Sequence, residues 1–318
     1  MQQFLLKNLQ TTWPSFRTEA TDKVAHSLLT IAQRAMAIKT CTFSSKHGPI
    51  SYLKSGPGRT GETIIMFHGY GVDKHSFYST AFHLFRDYQI IIPDLPGFGE
   101  SFSQTDLTYN FHNYGEWLEE WMLHLDTPKM HLMGNSLGGA MALITAIRCP
   151  ERTQSLTMAN PAGIPLRGGF PSFYRDYLCG ANLFMINNRN DFEYFLDRVF
   201  HNRPHIPWPV KETLYKNLKS KRQWNKKLLN DLVGTISALN DPQLEEKSLI
   251  HRLEEISCKT FIVWGVEDTL FPYQTGYFMQ ERIKNSQLHL FRNVGHSPQV
   301  EIPRTFCKVY KKFLESLN

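Results

Sequence analysis

The feature that most restricts the fold is a strand, a tight turn and a helix within residues 130–140. An apolar run that ends at Gly134 predicts a buried strand, and the small and apolar residues from Gly138 onward predict a helix. Between them lies Ser136, with a glycine two positions away on each side. Glycine permits the close backbone approach that a sharp strand-to-helix turn requires. The pattern predicts that Ser136 is held at the start of a helix, above the edge of a sheet.

The sequence Gly134-x-Ser136-x-Gly138 is also the pattern of a nucleophile elbow. The first backbone N–H groups of a helix have no partner within the helix, and the helix dipole favours negative charge there. A serine in this position suits a reaction in which an oxyanion develops. We therefore interpret Ser136 as a candidate nucleophile, with a purely structural turn as the alternative.

Buried-strand patterns alternate with helical patterns over most of the chain. After a predicted hairpin over residues 37–54, apolar runs typical of buried strands occur at 63–67, 89–92, 130–133, 155–159, 260–264 and 287–291. Strands that alternate with helices indicate βαβ units, whose right-handed crossovers place helices on both faces of a parallel sheet. The fold class is therefore α/β, with a mostly parallel central sheet.

The alternation stops after the strand that follows the elbow helix. Residues 164–249 contain helix-like segments only, at 172–178, 191–200, 210–218 and 224–239. We expect a core formed by residues 37–163 and 250–318, with residues 164–249 inserted as a helical cap, or lid, over Ser136. Residues 1–36 form a helical extension before the core.

The N-terminal extension carries Val24, Leu28 and Ile31 at helical spacing. Two interpretations remain open: a helix packed on the body, or an amphipathic anchor that lies on a membrane surface. No run reaches the roughly 18 apolar residues of a membrane span, and the N-terminus lacks the pattern of a signal peptide. We expect a cytoplasmic protein, with peripheral membrane association as an alternative.

Composition excludes several classes of partner. The 318 residues carry a net charge of +6 without a basic motif interleaved with aromatic residues, so no nucleic-acid partner is expected. The five cysteines are scattered and form no C-x-x-C, which argues against a disulfide framework and against a zinc site. Oligomeric state cannot be read from these features.

A nucleophilic serine needs a base, and the base needs a carboxylate that orients it. Asp268 lies just beyond the predicted strand at 260–264, and His296 lies just beyond the one at 287–291. The chain order of Ser136, Asp268 and His296 is that of an α/β-hydrolase triad. Glu267 is the alternative orienting carboxylate.

An oxyanion also needs two fixed backbone donors. We expect one to be the N–H of Leu137, directly after the nucleophile, and the other to be the N–H of Tyr70 in the loop after the first buried strand, with Gly71 as second choice. His68 precedes this loop, and we interpret it as a residue that holds the loop through hydrogen bonds.

The cap is rich in aromatic residues. A subset, represented by Phe173, Tyr177 and Phe195, is predicted to bind substrate together with Tyr70, although ordinary cap core is the alternative. Seven basic residues crowd residues 211–227 of the cap. They form either a solvated helix face or a surface that faces anionic lipid.

Taken together, these segments resemble the α/β-hydrolase fold over about residues 37–316. The runs that carry the resemblance are His68-Gly-Tyr-Gly71, Asp94-Leu-Pro-Gly-Phe-Gly-Glu-Ser101, Gly134-Asn-Ser-Leu-Gly-Gly139, Asn160-Pro-Ala-Gly163, Trp264-Gly-Val-Glu-Asp268 and Gly295-His296. Within this fold the chain is most similar to monoacylglycerol lipases of the α/β-hydrolase-domain 6 type and to related bacterial lipases. The resemblance implies the triad and oxyanion hole assigned above. Animal members carry an N-terminal membrane span, whereas residues 1–36 here are too polar for one.

The expected activity is hydrolysis of carboxylic esters through an acyl-enzyme, with monoacylglycerols or similar acyl lipids as substrates. No metal and no organic cofactor is needed for this chemistry. Two alternatives remain. Meta-cleavage C–C bond hydrolases share the Gly-Asn-Ser elbow but usually carry tryptophan after the histidine, where this chain has Ser297. A hydrolase-like binding module without activity is the other.

Overall fold

The computed structural model describes residues 21–164, 172–233 and 248–317. Its centre is an eight-stranded sheet in the order β1-β2-β4-β3-β5-β6-β7-β8. β1 pairs with β2, and β2 with β4, in antiparallel fashion, whereas the strands from β4 to β8 along the sheet are parallel to their neighbours. The predicted mostly parallel sheet is therefore confirmed.

The elements follow one another in a regular alternation. The strands are β1 Lys39–Ser45, β2 Gly48–Lys54, β3 Thr63–Phe67, β4 Gln89–Pro93, β5 Met130–Asn135, β6 Thr153–Ala159, β7 Lys259–Gly265 and β8 Ser286–Phe291. The helices are α1 over residues 21–35, α2 Tyr78–Leu84, α3 Phe111–His124, α4 Leu137–Arg148, α5 Ser172–Leu178, α6 Arg189–Val199, α7 Trp208–Ser220, α8 Arg222–Val233, α9 Gln274–Arg282, α10 Pro298–Glu301 and α11 Pro303–Glu315.

Helices cover both faces of the sheet, and this explains the continuous apolar runs of its strands. In β3, Ile65 and Phe67 join one buried cluster with α3 and α4. Ile64 and Met66 point the other way, into a second cluster with α2 and α11. Successive side chains of a strand alternate between its two faces. When both faces are buried, apolar residues are therefore favoured at every position.

The cap lies between β6 and β7, as predicted. In the part of the cap that the structure describes, residues 172–233, the regular elements are helices α5 to α8. The end of the predicted segment 224–239 lies outside the described residues, as do residues 165–171 and 240–247 of the predicted cap. The buried cap aromatics belong to one continuous cluster with the α3–α4 side of the core, whereas Tyr194 and Trp208 are exposed.

The described part of the N-terminal extension is helical, and Val24, Leu28 and Ile31 are exposed by 49%, 40% and 62%. The helix packs on the body through other residues, since Ala25 and, just after the helix, Met36 are buried. Residues 1–20 lie outside the description. Among the described residues, no helix is long and apolar enough to cross a membrane.

Candidate active site

The elbow predicted around Ser136 is present at the carboxyl end of β5. Ser136 joins β5 to α4 with φ 56° and ψ −121°, a conformation that a residue with a side chain rarely adopts. The turn is fixed to the end of β6, because the Ser136 N–H donates to the Ala159 carbonyl at 3.0 Å and the Ser136 carbonyl accepts from the Ala162 N–H at 3.0 Å. Strain of this kind persists only where the surrounding structure holds it in place.

Both glycines of the elbow are required by close backbone contacts. A methyl group on Gly134 would lie 1.9 Å from the Gly138 carbonyl oxygen, and one on Gly138 would lie 1.9 Å from the Phe67 carbonyl oxygen. Either clash would force β5, α4 or β3 apart. The spacing that first indicated a tight turn therefore has a steric basis.

Asp268 and His296 meet at the carboxyl ends of β7 and β8. The Nδ1 atom of His296 lies 2.8 Å from Oδ2 of Asp268, and both side chains are buried. The Asp268 carboxylate is fixed in turn by the N–H groups of Leu270 and Phe271, at 2.7 and 3.1 Å, and by the Asn160 side chain at 2.6 Å. These bonds orient the carboxylate toward the imidazole.

The neighbouring carboxylate, Glu267, points elsewhere. Its Oε2 atom accepts a hydrogen bond from the Val294 N–H at 3.0 Å and so fixes the loop that carries His296. Among the described contacts Glu267 is not paired with the imidazole. The alternative assignment of Glu267 as the orienting carboxylate is therefore wrong.

The loop after β3 lies directly against Ser136. A methyl group built on Gly69 would be 3.6 Å from the Ser136 Cβ atom, so the Tyr70 backbone lies one residue from this contact. Leu137 is the first residue of α4, where N–H groups have no acceptor within the helix. The two donors predicted from the sequence, in Tyr70 and Leu137, each directly follow a residue of this contact, and both residues line the same cavity as Ser136.

His68 holds this loop and takes no part in the Asp268 pair. Its Nδ1 atom is 2.8 Å from the Gly69 carbonyl oxygen, and its Nε2 atom accepts from the Leu95 N–H at 3.0 Å. Burial lowers the pKa of His68, which favours the neutral ring that this donor and acceptor pattern requires. The predicted loop-holding role fits these contacts.

Asn135 is a site residue that sequence reasoning missed. Its buried amide donates to the Ala159 carbonyl at 3.0 Å and to the His296 carbonyl at 2.9 Å. Its carbonyl oxygen lies 3.3 Å from the Ser297 hydroxyl, which donates to it. One side chain thereby ties the elbow to the end of β6 and to the histidine loop. The place of Asn135 in the Gly-Asn-Ser motif was the only feature of the sequence that pointed to this role.

Ser136 and His296 line the same cavity of about 740 Å³ between core and cap. Of the predicted substrate-binding residues, Tyr70, Phe173 and Phe195 line it. Its volume falls within the roughly 300–1,000 Å³ usual for pockets that enclose a small molecule. The Tyr70 hydroxyl donates to the Asn225 carbonyl of α8, so this side chain joins the loop after β3 to the cap.

Tyr177 is not among the described residues that line this cavity. Its hydroxyl donates to Oδ1 of Asn230 at 2.6 Å, which links α5 to α8 within the cap. Phe184 lines the cavity and packs against Tyr70 with ring centres 4.4 Å apart and the rings tilted by 51°. The sequence alone does not show which of these two cap aromatics faces the cavity.

The cap is fastened to the loops that carry Asp268 and His296. The His296 N–H donates to the Val199 carbonyl at the end of α6, at 2.9 Å. The Glu301 carboxylate accepts from Gly295 N–H at 3.1 Å and from Asn202 N–H at 2.7 Å. We call residues 198–202 the cap strap. It holds the backbone of the loop that carries His296 from the cap side.

The same strap contacts the loop that carries Asp268. Arg198 donates from Nε to the Thr269 hydroxyl at 3.0 Å and from Nη2 to the Thr269 carbonyl at 3.1 Å. The Thr269 hydroxyl donates in return to the Arg198 carbonyl at 2.8 Å. Both loops of the candidate site are therefore connected to one short cap segment.

The basic cap segment is partly neutralised. Lys211 pairs with Glu193, Lys216 with Asp22 of α1, and Lys227 with Asp231.

Among residues 21–164, 172–233 and 248–317, no group of three or more His, Cys, Asp or Glu side chains could hold a metal ion.

Comparison with known proteins bears on the architecture that carries this site. The profile of the alpha/beta hydrolase fold family matches residues 62–303. Lipase 3 of Moraxella sp. (strain TA144) is 29% identical over 284 residues, which cover 89% of this chain and 86% of that protein. Lipase 1 of Psychrobacter immobilis is 28% identical over the same shares of the two chains.

Two further proteins are similar to this chain. A 2-hydroxy-6-oxononadienedioate/2-hydroxy-6-oxononatrienedioate hydrolase of Pseudomonas putida is 25% identical over 83% of this chain and 91% of its own. Among solved structures, that of a membrane phospholipase A superposes with a TM-score of 0.85 at 25% identity, and covers 100% of this chain and 99% of that one.

Proposed function

This chain belongs to the α/β-hydrolase fold family, and we propose that it is a serine hydrolase of the lipase and esterase kind. The observation that carries the proposal is the buried Asp268–His296 pair beside an elbow serine that opens into the same cavity. In such enzymes the carboxylate orients the imidazole, and the imidazole accepts the proton of the serine hydroxyl.

In the proposed mechanism, Nε2 of His296 takes the proton from the Ser136 hydroxyl as its oxygen attacks the ester carbonyl carbon. Asp268 fixes the tautomer that leaves Nε2 free to act as the base, because Nδ1 donates to the carboxylate. His296 then gives its proton to the leaving alcohol. Water repeats the same steps on the acyl-enzyme, which releases the acid and restores Ser136.

The N–H groups of Leu137 and Tyr70 stabilise the oxyanion that forms in each step. Removing one such donor typically costs about 10²–10³ in rate. The position of Leu137 at the start of α4 supports its part, since its N–H also benefits from the helix dipole. The contact of Gly69 with Ser136 supports the part of the loop donor.

We further propose that the acyl group is of medium to long chain, as in monoacylglycerols. The mostly apolar cavity and the aromatic side chains Phe173, Phe184 and Phe195 support this substrate class. The similarity to two lipases and to a membrane phospholipase A supports lipid esters over other acyl compounds. The exposed stripe of Val24, Leu28 and Ile31 supports peripheral contact with a lipid surface.

The test is a substrate series with a matched blank. p-Nitrophenyl esters from acetate to palmitate, together with 1-oleoyl and 2-arachidonoyl glycerol, are assayed with wild type and Ser136→Ala. We expect turnover that peaks on longer acyl chains and is abolished in Ser136→Ala, whose circular dichroism spectrum is unchanged. Ester turnover that survives in Ser136→Ala would refute the proposal.

The same series separates the alternatives. The relative from Pseudomonas putida makes a C–C bond hydrolase the second candidate. Absence of ester turnover, together with cleavage of a 2-hydroxy-6-oxo dienoate, would favour it. A binding module without activity would cleave neither class and would not be labelled by a fluorophosphonate probe at Ser136.

A further inference from the structure

Helix α1 contributes to the wall of the cavity that contains Ser136. Ala25 and Leu29, one turn apart, line this cavity. Ala25 is 2% exposed and Leu29 is half-buried. The adjacent side chains Val24 and Leu28 project to the outside. The helix therefore has one side toward the cavity and another toward the surroundings.

The helix is held at both ends. At its start, Asp22 accepts from the Thr213 hydroxyl at 3.0 Å and pairs with the Lys216 ammonium at 3.0 Å, both on cap helix α7. At its end, Ala32 and Met36 pack against the buried cluster on the α2–α11 side of the core. α1 thus bridges the cap and the core across the cavity.

The cap helix to which α1 is attached lines the same cavity. Val210 and Leu214 of α7 contribute aliphatic side chains, and Thr213 and Asn217 contribute polar ones. The Thr213 hydroxyl donates to Asp22. The aliphatic side chains of α1 and α7 offer hydrophobic contact to a hydrocarbon chain.

We propose that α1 forms part of the acyl-binding wall and that Leu29 limits the length of acyl chain that is accepted. The inference rests on the proposed function, because an acyl chain enters this space only if its carbonyl carbon is held at Ser136. An N-terminal element before the sheet thereby becomes a determinant of substrate specificity.

The experiment compares Leu29→Trp with Leu123→Trp in the full chain. The two variants make the same substitution, one on a leucine of the cavity wall and one on an exposed leucine of α3. The value of kcat/KM is measured for p-nitrophenyl esters from butyrate to laurate, in the presence of a detergent held below its critical micelle concentration. Leu29→Ala serves as a second variant, which enlarges the cavity and does not depend on fitting an indole.

We expect Leu29→Trp to retain kcat/KM for butyrate within about twofold and to lose roughly fourfold for each methylene group that no longer binds. The longest esters should therefore lose more than tenfold. Leu29→Ala should shift the preferred length upward, and Leu123→Trp should keep the wild-type profile. Retained butyrate turnover shows that each variant is folded.

Identical length profiles in wild type, Leu29→Trp and Leu29→Ala would overturn the inference and leave the proposed function intact. Equal losses for Leu29→Trp and Leu123→Trp would also overturn it, because the effect would not depend on a position in the cavity wall. A wild type that cleaves no ester in the series would instead overturn the proposed function, and this inference with it.

Discussion

At the scale of single residues, Glu267 and Asp268 offer a matched pair for testing the candidate site. They are adjacent carboxylates, yet Asp268 contacts the His296 imidazole and Glu267 contacts the Val294 backbone. Asp268→Asn should keep the shape of the site but present an amide to the ring, which favours the wrong tautomer. We expect kcat to fall by about 10⁴.

Glu267→Gln is the control, since an amide oxygen can still accept from the Val294 N–H. Its kcat should remain within about threefold of wild type in the same steady-state ester assay. If Glu267→Gln lost as much activity as Asp268→Asn, the assignment of the orienting carboxylate to Asp268 would be refuted.

Residue-scale chemistry also predicts how stability depends on pH. Burial lowers the pKa of His68, against opposing effects of the Asp94 and Asp73 carboxylates. An unfolded chain takes up this proton near pH 6.5, whereas the folded chain keeps the ring neutral. The stability due to His68 is therefore complete above pH 6.5 and is lost as pH falls below it.

We expect the free energy of unfolding in urea, followed by circular dichroism, to fall between pH 7 and pH 5.5. His68→Gln removes the titrating group and should reduce this difference. His131 and His289, whose pKa values burial also lowers, contribute in the same direction. An unchanged difference in His68→Gln would contradict this.

Ser136, Asp268 and His296 could be predicted because each follows a recognisable strand, and parallel strands end at the same edge of the sheet. Asn135 and Glu301 could not be assigned roles in the same way. Their partners lie on the cap, on β6 and on the loop after β8. Only the folded arrangement brings those backbone groups to one side chain.

At the scale of elements, the cap strap connects the cap to the loop that carries the candidate base His296. Glu301 accepts from the backbone of Gly295 on the histidine loop and from His201 and Asn202 on the strap. Glu301→Ala leaves these N–H groups without a charged acceptor, and such hydrogen bonds are worth roughly 1.5–3 kcal/mol each. We expect kcat to fall about ten- to a hundredfold for short and long esters alike.

Two comparisons give this prediction its control. Glu301→Gln keeps acceptor oxygens and should recover most of the activity. Glu254→Ala removes an exposed carboxylate whose partner is Arg282, away from the candidate site, and should have no effect on kcat. A Glu301→Ala enzyme with lower melting temperature but unchanged kcat would show that the strap is needed for stability only.

The order of the elements was predictable from the strand and helix periodicity, including the point at which the cap is inserted. The direction in which single cap side chains point was not. Tyr177 and Phe184 are both cap aromatics, but only Phe184 lines the cavity, because Asn230 on another cap helix binds the Tyr177 hydroxyl. Which side chain faces the cavity depends on contacts between segments of the cap, and the local sequence does not indicate these contacts.

At the scale of the whole molecule, the exposed stripe of α1 predicts binding to lipid surfaces. Leu28→Asp combined with Ile31→Asp places charges on side chains that are 40% and 62% exposed. Burying a leucine or isoleucine side chain stabilises association by roughly 1.5–3 kcal/mol. We expect cosedimentation with phosphatidylcholine–phosphatidylglycerol vesicles to weaken at least tenfold in the double variant.

Leu123→Asp is the matched control, because Leu123 is an equally apolar side chain, 65% exposed, on α3. Its vesicle binding should equal that of wild type. If all three proteins sediment to the same extent, α1 does not mediate membrane contact. The sequence indicated the apolar spacing of this helix, but which side faces outward depends on its contacts with the cap.

The attachment of α1 to α7 has a consequence for biosynthesis. Asp22 and Thr213 are separated by 191 positions in the chain. At a translation rate of about 5–20 residues per second, α7 is synthesised roughly 10–40 s after α1. Throughout that interval Leu29 has no cap to cover it, so the apolar side of this segment stays exposed until α7 has been synthesised.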